Sequence, residues 1–115
     1  MVLHVVLFKP RADLSAPERA AFVASLERAV REVPTVRGVH VGRRQKFGAA
    51  YEQTAPDAAD FLAVIEFDDV GGLQSYLQHP AHADLGMRFR ESLGAALVYD
   101  FELLDSPGGL LTSGF

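Results

Sequence analysis

Three runs of this chain, residues 2–9, 61–67 and 95–104, are apolar on both of the faces that a strand presents. Successive side chains of a strand point to opposite sides of its sheet, so a strand with one side in water should alternate. In the first run Val2, Val6 and Phe8 share a face with His4, while Leu3, Val5 and Leu7 take the other. The second sets Phe61, Ala63, Ile65 and Phe67 against Leu62 and Val64, and the third sets Leu97, Tyr99, Phe101 and Leu103 against Val98 and Leu104, with Asp100 and Glu102 between them. Whatever sheet these strands build must be covered twice, and soluble monomers rarely leave a large apolar face bare.

The remaining segments show what can do the covering. Pro10 stops the first run, and Ser15 follows as a helix N-cap with Pro17 in the first turn and Glu18 at the capping-box position. Phe22, Leu26, Ala29 or Val30, and Val33 then recur at helical spacing until Pro34. Residues 36–44 read as a further strand, and residues 47–60 as a long connection. After the strand at 61–67, Asp68 or Asp69 caps a helix carrying Leu73, Tyr76 and Leu77. His79-Pro80 interrupts it, because the residue before proline leaves the helical region. Residues 81–93 continue as a helix with Leu85, Phe89 and Leu93.

This order is β-α-β-β-α-β, a ferredoxin-like α+β domain with a four-stranded antiparallel sheet. It occupies residues 1–105, and residues 106–115, with three glycines and a proline, form a flexible C-terminal tail or an arm that docks on a partner. In this topology the helices cover one face of the sheet. A second copy packed face to face on the other would complete a dimeric α+β barrel with an isologous interface. The competing cover is the 47–60 connection or the tail folded back.

Composition narrows the function classes. With 115 residues there is room for one domain, and 49% hydrophobic residues supply its core and an interface. The formal charge is −4 and the only basic cluster is Arg43, Arg44 and Lys46, so nucleic-acid binding is not expected. The absence of cysteine excludes disulfides, thiolate chemistry and cysteine-ligated zinc. No apolar run approaches a membrane span, and the apolar N-terminus, without a basic leader, reads as a strand; a cytoplasmic protein is the expectation. No His-x-x-x-His or Glu-x-x-His pair shares a helix face, so neither metal nor cofactor is expected.

Four blocks in order resemble the stress-responsive A/B barrel (Dabb) family. They are His4-Val5-Val6-Leu7-Phe8-Lys9; Val33-Pro34-Thr35-Val36 with Val39-His40-Val41-Gly42; Tyr76-Leu77-Gln78-His79-Pro80-Ala81-His82; and Tyr99-Asp100-Phe101. The resemblance covers about residues 1–105 and implies the dimeric barrel. One understood member is a plant polyketide cyclase, which closes a linear chain by intramolecular aldol condensation without metal or organic cofactor. Its working residues match His4, Tyr76 and His82. Leu26 and Leu93 stand where that cyclase has tyrosine and tryptophan, and the 47–60 connection is longer here, so the same substrate is not expected.

On this reading His82 is the base, Tyr76 the orienting donor and His4 a second acid-base or oxyanion partner, in a pocket lined by Val6, Phe22, Leu26, Phe89, Leu93 and Leu97. Each has a plainer alternative. His4 on an apolar strand face could be a hydrogen-bonded core histidine, and Tyr76 a core side chain with its hydroxyl at the surface. His82 could cap its helix. His79 is expected to satisfy free helix-end groups, His40 to be solvated, and Asp100 to be an edge charge paired with lysine or arginine in preference to a pocket carboxylate. Three functions remain open: a cofactor-independent aldol-type cyclase or lyase acting on a small apolar or aromatic molecule, a non-catalytic stress-response or ligand-binding dimer, and an assembly module whose tail, residues 106–115, joins dimers into larger rings.

Overall fold

A computed structural model describes residues 1–115. The chain runs β1 (Val2–Pro10), α1 (Ala16–Glu32), β2 (Gly38–Arg43), a 3-10 helix (Ala50–Gln53), β3 (Phe61–Phe67), α2 (Val70–Gln78), α3 (Pro80–Ser92), β4 (Leu93–Glu102) and a last 3-10 helix (Pro107–Thr112). The four strands form one antiparallel sheet in the order β2-β3-β1-β4. The helices lie on one face, giving a ferredoxin-like α+β slab only 18 Å deep along its shortest axis.

Local chemistry sets the element ends. The Ser15 hydroxyl accepts from the Glu18 amide and the Glu18 carboxylate accepts from the Ser15 amide, closing the capping box of α1. Asp69 accepts from the Gly72 amide and starts α2. His79 stops α2 in extended backbone at φ −73°, ψ 142°, and its Nδ1 accepts from the Ala81 amide at 3.0 Å to cap α3. β4 follows α3 with no connection, two residues earlier than the sequence suggested. Pro10 has no N–H for the ladder, so the register shifts at Lys9/Pro10, and Leu93 falls opposite Pro10 as a strand residue. The segment 106–115, expected as a flexible tail, carries its own 3-10 helix.

Val2, Ile65 and Phe67 from the sheet meet Ala29 and Val33 of α1, Leu73 and Tyr76 of α2, and Ala81 and Leu85 of α3. A second cluster joins Val6, Phe8 and Ala63 to Phe22, with Phe89 and Leu93 at its margin. Burying each large side chain is worth about 1.5–3 kcal/mol against leaving it in water. Register places His4 beside Ile65 on one side and Asp100 on the other, all facing the helices. The opposite face carries Leu3, Val5, Leu7, Leu62, Val64 and the row from Leu97 to Leu103. No helix covers it, the 55–59 part of the connection borders it only at the Leu7–Leu62–Leu97 end, and Tyr99 and Phe101 stay about half exposed. The 44–60 connection runs along one end of the sheet instead, where Asp57 pairs with Lys9 at 3.0 Å.

Candidate functional site

The break between α2 and α3 is what assembles the site. Tyr76 lies in the last turn of α2 and His82 in the first turn of α3, and the extended His79 between them turns both rings toward β1. Tyr76 and His82 have ring centroids 4.8 Å apart, and His4 lies 5.7 Å from Tyr76 and 6.4 Å from His82. The three face a pocket of about 240 Å³ whose walls include Val6, Leu26, Leu85, Phe89 and Val98.

Each polar group has a distinct setting. His4 is 5% exposed, and its Nδ1 lies 2.6 Å from Asp100 Oδ1, so the ring donates Nδ1–H to the carboxylate and keeps Nε2 for other partners. Asp100 thus pairs with histidine, not with lysine or arginine, from the edge strand β4 with its side chain 43% exposed. It faces the helices because β4 meets β1 in the register that puts it opposite His4. Burial pushes the Tyr76 phenol far above its ordinary pKa, so it stays protonated and serves as a donor; its hydroxyl makes no hydrogen bond to the protein. For His82 burial acts first and the neighbouring His4 second to hold its pKa below 6.5, and the Leu77 backbone opposes them. At neutral pH His82 is an uncharged imidazole with a lone pair to accept a proton.

Of the residues expected to line a pocket, Val6, Leu26 and Phe89 border this one. Phe22 and Leu93 do not. They border a neighbouring apolar groove of about 460 Å³, between α1 and the β2–β3–β1 end of the sheet, which meets the pocket at Leu26. Leu97 lies on the far face of the sheet opposite Leu7, because alternation gives the helix-facing position to Val98. His40 sits on that open face, largely exposed, with Nε2 3.0 Å from Glu66 Oε1. His79 is a helix cap. Sequence reading missed Val98 and the role of Asp100. The alternation contained the signal, since both fall on one side of the last strand, but not which side meets the helices.

A ferredoxin-like sheet with one covered and one open apolar face, and a histidine–tyrosine–histidine pocket under its helices, defines an α+β domain of the type that pairs into barrels. The chain belongs to the family described as the Stress responsive A/B Barrel Domain (Dabb), whose model matches residues 2–103. It is similar to olivetolic acid cyclase of Cannabis sativa, with 20% identity over 100 residues, covering 87% of this chain and 94% of the cyclase. Among solved structures it resembles a hydroxynitrile lyase from Passiflora edulis, with a TM-score of 0.75 and 13% identity over 91% of this chain and 94% of that one. It also resembles a dimeric ferredoxin-like protein from Jannaschia, with a TM-score of 0.70 and 22% identity over 89% and 98% of the two chains. Three solved structures of this fold, the Jannaschia protein among them, are described as dimeric, which supports self-association. No helix is long and apolar enough to cross a membrane.

Proposed function

We propose that the protein is a homodimer, paired through the open sheet faces, whose helix-side pockets bind a small apolar carbonyl compound and move a proton at the carbon beside the carbonyl. The observation that carries this reading is the convergence of a neutral histidine, a protonated tyrosine and a carboxylate-held histidine on one apolar pocket. His82 takes the α-proton. The Tyr76 hydroxyl donates to the enolate oxygen that forms, and His4, whose Nδ1–H is held by Asp100, offers Nε2 as a second acid-base group. In a substrate with a second carbonyl, the enolate carbon attacks it, a carbon–carbon bond closes the ring, and the new alkoxide receives the proton from His82. Asp100 fixes the tautomer and orientation of His4. The apolar groove meeting the pocket at Leu26 would receive the hydrocarbon part of the ligand. A cyclase in the same family and a lyase of the same fold are in keeping with this chemistry.

The test is deuterium exchange at the α-carbons of an alkyl methyl ketone, 2-nonanone, followed by proton NMR in D2O. The protein should accelerate exchange above buffer, and His82→Gln should lower the enzyme-dependent rate by about 10²-fold or more, the scale of a lost general base. Exchange no faster than in protein-free buffer would sink the catalytic reading. Ketone binding without exchange would leave the pocket as a carrier site.

A further inference from the structure

The last segment of the chain is an apolar arm without a place on its own domain. The family match ends at Leu103, whose amide still bonds to the Met1 carbonyl, and residues 104–115 then leave the sheet. The arm folds on itself, with the Ser113 hydroxyl and the Phe115 amide bonded back to Gly109 and Leu110. Leu111 is 80% exposed and Phe115 89%.

The same chain has an unfilled apolar groove of about 420 Å³ on its open sheet face, lined by Leu7, Leu62, Leu97, Phe61, Pro56 and Ala58, with Arg43 and Arg44 at its rim. Arm and groove lie at opposite ends of the sheet. β4 ends at Glu102 opposite Val2, whereas the groove lies at the level where Leu97 pairs with Leu7. Five residues of strand separate these levels, about 17 Å.

We propose that the arm of each copy, residues 104–115, seats in the open-face groove of its partner and clasps the dimer. This rests on the pairing of the open faces. A two-fold axis between the stacked sheets, running across the strands, sets the exit end of one sheet over the groove end of the other. The arm continues the apolar row Leu97, Tyr99, Phe101 and Leu103 of the interface and places Leu110, Leu111 and Phe115 against the groove's leucines and proline. Asp105 then approaches Arg43, which has no carboxylate partner in its own chain. The arm's internal hydrogen bonds lower the entropy cost of docking.

The chain has no cysteine, so single thiols report contacts without background. Leu111→Cys and Ala58→Cys are made in separate chains, mixed, and treated with a short bis-maleimide; Val23→Cys, on the helix side, replaces Ala58→Cys as the control. The expected result is a cross-linked dimer for Leu111→Cys with Ala58→Cys and none with the control. In addition, Leu111→Asp/Phe115→Asp should weaken the dimer about tenfold or more by analytical ultracentrifugation, with an unchanged circular dichroism spectrum. Equal cross-linking to the control, cross-linking within one chain, arm-dependent particles larger than a dimer, or an unaltered dimer constant would each overturn the clasp. A wild-type protein that is monomeric at high micromolar concentration would overturn the clasp and the homodimer together. A dimer lacking the cross-link would overturn the clasp alone.

Discussion

His82 and His4 are the same residue type a few ångströms apart, and their neighbours give them different work. Asp100 accepts Nδ1–H of His4 and leaves its Nε2 as an acceptor held in one orientation. His82 has no carboxylate, and burial disfavours its charge. The depressed pKa has a consequence for stability. As pH falls, the unfolded chain protonates this histidine first, near 6.5, so the stabilisation from neutral His82 is complete above that value and is lost between it and the lower folded value. Urea melts from pH 7.5 to 5 should show wild type losing stability faster than His82→Asn below pH 6.5; parallel curves would contradict the assignment. Asp100→Asn offers an amide where His4 needs an acceptor. Ketone exchange should fall by about 10–100-fold, the penalty of a misoriented acid-base group, with the fold retained by circular dichroism.

At the scale of elements, helix ends do most of the positioning. The capping box of α1 satisfies free amides at its N-terminus. Ser15→Ala should therefore cost about 1 kcal/mol in urea unfolding without changing the sheet. α1 must hold its place because Leu26 belongs both to the pocket and to the adjoining groove. The α2–α3 break serves geometry more than stability. In one continuous helix, residues 76 and 82 would lie six positions and therefore well over a turn apart, pointing in different directions. The extended His79, with Pro80 behind it, brings both rings to 4.8 Å. This break was legible in the His-Pro dipeptide, as were the capping residues, since both act through the backbone within a few positions.

For the whole molecule the question is what covers the second face of the sheet. Half-exposed Tyr99 and Phe101, 6.3 Å apart by ring centroid, lie on the open face of the edge strand β4, opposite Val5 and Leu3. A charge there would be buried without a partner on association. Phe101→Asp should raise the dimer dissociation constant about thirtyfold or more, the effect of losing an interface residue worth ~2 kcal/mol, measured by sedimentation equilibrium. The outward position of Phe101 means that the monomer's own core is untouched, so far-UV circular dichroism should not change. The His40–Glu66 pair lies on this same face, which makes His40 an interface group in the proposed dimer rather than a solvated one.

Order of elements, strand parity and helix caps were readable from the chain itself, because each depends on neighbours within a turn or on two-residue alternation. Strand parity was enough to group Val2, His4, Val6 and Phe8 on one face and to show that both faces of the sheet are apolar. Which face of the last strand the helices cover was not readable, and Leu97 was accordingly placed in the pocket where Val98 belongs. That choice depends on the register between β4 and β1, set by Pro10 and the helix-to-strand junction some eighty residues apart in the chain. The partner of His4 was hidden for the same reason: Asp100 reaches it only across that ladder. The sequence alone determined the fold and the residue types of the site; long-range pairing decided which of them meet, since distances between strands are fixed by hydrogen bonds that no local pattern records.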